Sequence, residues 1–415
     1  MPYRIVDLEL SQPLSALALG PEQDGFGLIA RWQGRLVGFV MKSAAPGVTM
    51  AEDALRALVE REFGTRILAV KAEAALDERW PRLAPDGAPS LSIAICTKDR
   101  APRLRRLLGS LDAVRSTSRF RSLEILVVDN ASVDSSTRDA AQSFPAVRYV
   151  SEPRTGLDFA RNAALHAATG DLLAYLDDDV VVDRHWLSGL YQAWADCPEA
   201  GGYTGLVLPF RLDTRAQLEF ERLGGFGRGF ARTDHRAAKL GNPLHPVGAG
   251  IVGAGCNMAF DRALLLSLSG FDEALDTGAP LPGGGDLDIF YRILRAGRTI
   301  VYEPRYAVYH EHRETLKQLR RQYWSWGVGF MAFLVKARRT DAALRTRHTA
   351  MIRWWFLDKL RALAGAILRV NLERARFVAG ELLGGIQGLL GAYDRSVARS
   401  RRIRKQPRDL AHSSS

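Results

Sequence analysis

The chain has 415 residues, 47% of them hydrophobic and 25% charged, which allows two or three folded units and a sizeable core. Three widely spaced cysteines, Cys96, Cys197 and Cys256, argue against a disulfide framework or a zinc site and favour a reducing, cytoplasmic setting. The net charge of +11 sits at one end: from Glu311 to Ser415 there are 22 Lys and Arg against 8 Asp and Glu. Any electrostatic partner, nucleic acid or an anionic membrane surface, is therefore sought in the last quarter. The opening residues, MPYRIVDLEL, lack an apolar signal core, so no secretory leader is expected.

Residues 1–80 read as a small α+β unit. Tyr3 to Leu10 forms a first strand, and Gly27 to Trp32 and Arg35 to Met41 flank a Gln33-Gly34 turn. Thr49 is placed to cap a helix through Ala51 to Phe63, with Gly64 as its stop. No catalytic spacing occurs there, and a packing or partner-docking role is expected. Residues 81–90, PRLAPDGAPS, read as a linker.

From Leu91 strands and helices alternate. LSIAIC (91–96), LEILVVDN (123–130), Val147 to Val150 and LLAYL (172–176) are strands, and the helices between them begin near Pro102, Asp134 and Gly156. This rhythm predicts a mostly parallel sheet of the nucleotide-binding type, with its ligand site at the carboxyl ends of the strands. Thr97 and Asp99, Asp129 and Asn130, and Asp177 to Asp179 all fall at such ends. Three adjacent carboxylates repel one another and are costly to desolvate unless a cation sits among them. The triple aspartate is either a solvated acidic loop or a site for a hard cation such as Mg²⁺ or Mn²⁺.

The second half is glycine-rich. Gly201 to Leu208 and Gly248 to Phe260 are apolar, and the polar stretch from Arg211 to Pro246 between them reads as a flexible loop or substrate-binding insertion. Gly253 and Gly255 leave room for close backbone approach to a ligand, or mark a bulged strand. In LPGGGDLDIFYRILRAG, Asp286 and Asp288 start a helix, where carboxylates favour the helix dipole. Asp286, presented by a glycine turn, is alternatively a general base. His310 and His312, one residue apart, share a face if they lie on a strand, and one of them is a candidate for the metal site.

SIAICTKDR, EILVVDNASVDSS, EPRTGLDFARNAAL, LLAYLDDDVVVDRHWL, GAGCNMAF and GGGDLDIFYRILRAG occur in that order over roughly 240 residues. On these pieces the chain from about Leu91 to Gly329 resembles the family 2 glycosyltransferases, which have the GT-A fold. The resemblance implies a nucleotide-sugar donor (UDP- or dTDP-sugar), a divalent metal, Mn²⁺ or Mg²⁺, and transfer with inversion. It places Thr97, Asp99, Arg100, Asp129, Arg161, Asp177 and Asp178 at the nucleotide and Asp177, Asp179 and His310 at the metal. Asp286 falls at the catalytic aspartate. One departure is Gly285, where relatives often carry Glu before that aspartate; a nucleotide-binding but inactive scaffold is the alternative function.

The tail from residue 330 to 398 reads as basic amphipathic helices, and 399–415 as a disordered basic tail. RWWFLDKLRALAGAILRVNL (353–372) and FVAGELLGGIQGLLGAY (377–393) both fall short of about 20 clean apolar residues, which argues against a membrane span. They suit either packing on the catalytic unit or a second subunit, or the interface of an anionic membrane. The expected partners are a saccharide or lipid-linked saccharide acceptor and that membrane surface, with no nucleic acid and with homo-oligomers open. By family analogy the setting is polysaccharide assembly in a bacterium, at the inner face of the plasma membrane.

Overall fold

The computed structural model describes residues 2–79, 87–238, 241–275, 278 and 280–405. Most of the expected linker, 81–90, and the tail beyond residue 405 lie outside the described residues.

The N-terminal unit holds β1 (Tyr3–Glu9), β2 (Leu17–Ala18), β3 (Gly25–Trp32), β4 (Arg35–Ser43), β5 (Thr49–Met50) and α1 (Glu52–Arg79). β3 pairs with β4 as an antiparallel hairpin and with β1 in parallel, while β2 and β5 form a separate small ladder. Thr49 is thus a strand residue rather than a helix cap. Gly64 does not stop the helix either. The helix buries Leu55, Leu58, Val59, Phe63 and Val70, which outweighs the roughly 1 kcal/mol cost of an interior glycine.

The main unit contains β6 (Leu91–Thr97), α2 (Ala101–Val114), β7 (Leu123–Asn130), α3 (Ser136–Gln142), β8 (Val147–Glu152), α4 (Leu157–Ala167), β9 (Leu172–Asp177), β10 (Val180–Val182) and α5 (Trp186–Asp196). It continues with β11 (Gly202–Pro209), α6 (Arg215–Arg222), β12 (Thr233–His235), β13 (Asn257–Asp261), α7 (Arg262–Ser267), α8 (Gly285–Arg295) and β14 (Ile300–His310). The sheet order is β10-β14-β11-β13-β9-β6-β7-β8, with β12 on β14. β6, β7, β8, β9, β11 and β14 point the same way, and β10, β12 and β13 run against them. The sheet is mostly parallel, as the alternation of apolar runs and amphipathic helices predicts. The run Leu91–Thr97 is buried along its whole length, and apolar layers cover both faces of the sheet.

The stretch from Arg211 to Pro246 is more ordered than expected. It carries α6, opened by a Thr214/Gln217 capping box, and β12 on the main sheet.

The C-terminal extension consists of α9 (Leu316–Thr340), α10 (Arg345–Leu368), α11 (Leu372–Gln387) and α12 (Tyr393–Arg404). The boundary expected at Gly329 falls inside α9, because Val328, Met331, Ala332 and Phe333 of that helix are buried against the main unit and α11. Residues 399–404, expected to be disordered, complete α12. The glycines that interrupt the apolar run 377–393 have a packing role. A Cβ on Gly384 would strike the Trp324 backbone of α9, and one on Gly388 would come within 2.6 Å of the Val328 carbonyl. α9 and α11 therefore approach more closely than side chains would allow.

One buried cation joins the two units. Arg31 of β3 is 2% exposed; it donates to Asp7 at 2.8 Å and to Asp183, also 2% exposed, at 2.5 Å. Ile29 and Leu36 pack beside it on Leu206, Leu208 and Tyr302 of the main sheet. Arg31→Ala leaves the buried Asp183 carboxylate without its cation, with only the Tyr309 hydroxyl and the His185 N–H to support it, so it is expected to cost ~3–5 kcal/mol. Urea unfolding reads this directly, and an unchanged midpoint would contradict the role.

Candidate active site

The parallel register sets the polar strand ends side by side. Cys96 of β6 lies opposite Asp177 of β9, and Thr97 lies opposite Asp129 of β7. Above this edge opens a cleft of about 1360 Å³, lined by Thr97, Asp99, Arg100, Arg161, Asp177, Asp178, Asp179, Asp286 and His310 among others. Nine residues from five separated stretches are brought together.

The three aspartates are handled differently. Asp178 is buried; it accepts from Thr97 Oγ1 at 2.7 Å and Arg100 Nη1 at 2.9 Å. Burial pushes its pKa up against the pull of Arg100. Asp179 is also buried, with His310 Nε2 at 3.3 Å and Arg313 and Arg100 at 3.8 Å. Burial alone would raise its pKa, but His310, Arg313 and Arg100 hold it well below the carboxylate range. Asp177 is enclosed by the cleft, yet water still reaches 37% of its side chain. Burial, with Asp179 and Asp178 beside it, pushes its pKa up to about 6 against the pull of Arg161.

This donor set fits a hard divalent cation. Asp179 Oδ1 is buried with no aligned hydrogen-bond donor, since the contact to His310 has ion-pair distance but not hydrogen-bond geometry. Asp177 faces the open cleft beside it. Among the described residues no group of three or more His, Cys, Asp or Glu side chains is placed to hold a metal ion, so the chain offers two carboxylates here rather than a full ligand set. An ion here would take its remaining ligands from water or phosphate oxygens, as Mg²⁺ and Mn²⁺ commonly do.

His310 is held from behind. Its Nδ1 lies 3.0 Å from His312 Nδ1, and His312 Nε2 lies 2.7 Å from Glu221 Oε1 of α6. The two histidines do share a side, as their spacing predicts. His312 is buried, which lowers its pKa despite Glu221. Glu221 and Arg313 join the site without a sequence signal of their own, because each reaches it only through tertiary packing.

Asp286 enters from α8 on the opposite wall. Gly255 lets it approach: a Cβ there would come within 3.0 Å of Asp286 Oδ2. Gly253 instead packs on the Thr204 side chain, so its smallness serves the fold rather than a ligand. The turn before Asp286 is braced rather than free, for Gly284, at φ +114°, would with a Cβ come within 2.9 Å of the Gly329 carbonyl of α9. Gly285, the departure noted above, has a physical reason. The buried Asp158 carboxylate of α4 occupies the space a side chain at 285 would need. Asp158 also holds Arg161 at 3.0 Å, with Arg161 3.8 Å from Asp177. The carboxylate nearest Gly285 is therefore supplied from another helix, and the Asp158/Arg161 spacing of three on α4 was its only trace in the sequence.

Asp99 and Asp129 have other partners. Asp99 Oδ1 accepts from Val133 N at 2.8 Å, which ties the β6 and β7 loops together. Asp129 accepts from Tyr149 at 2.7 Å and Ser132 N at 3.1 Å. It lines a smaller neighbouring cavity of about 400 Å³ with Ser132, Arg138 and Tyr149. Arg228, from the insertion, lines the main cleft and donates to the carbonyls of Phe226, Gly227 and Gly250. Burial pushes the Cys96 thiol up to about 12, so it stays protonated and is no nucleophile.

Gly285→Ala drives a methyl group into the buried Asp158 carboxylate. The expected cost is ~1–3 kcal/mol of overpacking strain, read by thermal unfolding. A variant as stable as the wild type would show that Asp158 is free to move away.

The model of Glycosyl transferase family 2 matches residues 92–234, and that of Glycosyl transferase family group 2 matches residues 172–375. A pre-mycofactocin glycosyltransferase of Mycobacterium tuberculosis is 27% identical over 259 residues, 60% of this chain and 49% of that protein. The succinoglycan biosynthesis protein ExoM of Rhizobium meliloti is 29% identical over 245 residues, 57% of this chain and 73% of its own. The chain thus spans about half the length of the first of these relatives. A mannosyltransferase of Pyrobaculum calidifontis, solved with GDP-Man and Mn²⁺, superposes with a TM-score of 0.49 at 19% identity, over 80% of this chain and 97% of that one. The family matches run from the first strand of the main sheet through α9 and α10, and include the aspartates, arginines and His310 named above: the chain belongs to the family 2 glycosyltransferases.

Proposed function

We propose that the protein transfers a sugar from a nucleoside-diphosphate sugar to an acceptor hydroxyl with inversion, in the assembly of a polysaccharide or glycolipid. The observation that carries this reading is the placement of Asp286 across one cleft from Asp177 to Asp179, with Arg100, Arg161, Arg228 and Arg313 on its walls. Four cations around a carboxylate-lined edge suit a diphosphate. The donor is read as a UDP- or dTDP-sugar.

Asp177 and Asp179, with His310 nearby, are the residues that would hold Mn²⁺ or Mg²⁺. Bound there, the ion supplies electrostatic stabilisation of the departing diphosphate. The chain's own residues do the rest. Arg161 and Arg313 face the negative charge that develops on the leaving group. Asp286 accepts the proton of the acceptor hydroxyl as that oxygen bonds to the anomeric carbon. The bond from that carbon to the phosphate oxygen breaks on the opposite face, and its electron pair leaves with the nucleoside diphosphate. One base suffices for a single displacement.

The acceptor is read as a saccharide, free or lipid-linked. Beyond Asp286 the cleft continues between Trp326, Phe330, Met351, Trp354 and Trp355 of α9 and α10, an apolar and aromatic wall suited to sugar faces or a lipid anchor. No described helix is long and apolar enough to cross a membrane. A lipid-linked acceptor would be met at a membrane surface, and the reading places the protein peripherally at the inner face of the plasma membrane.

Thermal unfolding with UDP, GDP, dTDP and CDP, each with and without Mn²⁺, tests donor binding. One nucleotide near 100 times its Kd should stabilise the fold by about 2.7 kcal/mol, and only with metal. Asp179→Ala should remove the metal-dependent part of that shift. Asp286→Asn should leave the nucleotide shift in place and lower transfer by about 10²- to 10⁴-fold. Near wild-type turnover in Asp286→Asn would sink the assignment of the base. A folded protein that no nucleotide stabilises would point to a scaffold.

A further inference from the structure

α10 and α11 form an antiparallel hairpin. Lys359 Nζ lies 2.8 Å from Glu381 Oε2, and the Trp355 ring occupies the space a Cβ on Gly385 would take. Residues 359 and 381, like 355 and 385, lie symmetrically about Val370, so the hairpin closes there. Asn371 caps α11 by accepting from Arg374 N.

The inner side of this hairpin walls the cleft through Met351, Trp355, Lys359 and Glu381. Its apex does the opposite: Ile367, Leu368, Val370 and Leu372 are 58%, 84%, 77% and 61% exposed. Leu357, Leu360, Leu383 and Ile386 extend the exposed apolar surface along both helices. Val370 is held at φ +53°, a conformation that a β-branched side chain adopts only with strain and that Asn or Gly adopts readily. The turn itself ends α10, with Val370 N donating to the Ile367 carbonyl and Asn371 N to the Ala366 carbonyl, but the exposed valine side chain adds no burial to offset its strain, which makes the position a candidate for function.

Charge identifies what covers this apex. Arg369 and Arg374 are exposed beside it, Arg361 and Arg353 are exposed farther along α10, and none of the four has a carboxylate partner among the described residues. A second copy of the same surface would set arginine against arginine. An anionic bilayer accepts both features at once, apolar side chains at the acyl boundary and arginines at the headgroup phosphates.

We propose that the α10–α11 apex docks on an anionic lipid bilayer, with Leu368 and Val370 entering the interface. The docking stands on the exposed apex alone, and it rests on the glycosyl-transfer reading only for its purpose, delivery of a lipid-anchored acceptor. α10 rises about 20 Å from Trp355 to Leu368, so docking holds the cleft wall within that distance of the headgroups.

Vesicle flotation tests the proposal without donor, acceptor or turnover. The full chain should float with vesicles of phosphatidylcholine and phosphatidylglycerol, less so at high salt, and stay behind with phosphatidylcholine alone. Leu368→Ser with Val370→Asn should weaken partitioning by about tenfold or more, without loss of thermal stability or of the nucleotide-induced shift. Arg369→Gln with Arg374→Gln, which keeps the apolar tip, should weaken it and flatten its salt dependence. Wild-type protein that ignores anionic vesicles, or tip variants that float as well as wild type, would overturn the proposal. So would a dimer, seen by light scattering, that the tip variants dissociate. A chain that floats but binds no nucleotide would leave the docking standing and remove the transferase reading.

Discussion

Three consecutive carboxylates at one strand end set the central constraint. Unit charges about 4 Å apart interact by roughly 4 kcal/mol at an effective dielectric constant of 20, so their repulsion is comparable to a large share of a domain's net stability. The fold meets this by giving each aspartate a different partner from a different element. Arg161 of α4 faces Asp177, Thr97 and Arg100 after β6 hold Asp178, and His310 with Arg313 after β14 hold Asp179. The site is therefore also a junction, where the strand order of the sheet and the neutralisation of the cluster depend on each other.

The compensation stops short of closure. Asp178 is fully engaged, whereas Asp177 faces the cleft and Asp179 keeps a buried oxygen with no aligned donor. An ion-pair network built only for stability would satisfy that oxygen, because a buried unpaired acceptor costs about 1–3 kcal/mol. The cost is located where a further positive charge would be received, beside arginines that suit phosphate. Asp286, across the cleft, has Arg161 as a shared neighbour with Asp177, so both walls belong to one electrostatic unit.

The C-terminal helices are part of this machinery. Gly329 of α9 lies against the Gly283–Gly284 turn that presents Asp286, and α11 packs on α9 through glycines. The same glycines punctuate the apolar run 377–393, where they permit a close helix pair. The hairpin that results has one side in the cleft and its apex in solvent.

Much of this was legible in the residues. Buried strands are local apolar runs that end where polar residues begin, so β6, β7 and β9 and their terminal Thr97, Asp129 and Asp177–Asp179 could be read directly, and with them the parallel sheet. The glycine turn before Asp286 and the paired His310 and His312 are local as well. What the residues left undecided depended on pairing at a distance. Asp158 filling the place of a side chain at 285, Glu221 reaching His312, and Asp129 turning to Tyr149 beside a second cavity all require three-dimensional neighbours. Gly64 failed as a helix stop, and Gly329 as a domain boundary, for a related reason: burial of the flanking apolar face outweighs a local propensity of about 1 kcal/mol. Local chemistry determined the strands and the candidate charges; long-range packing decided which charges meet.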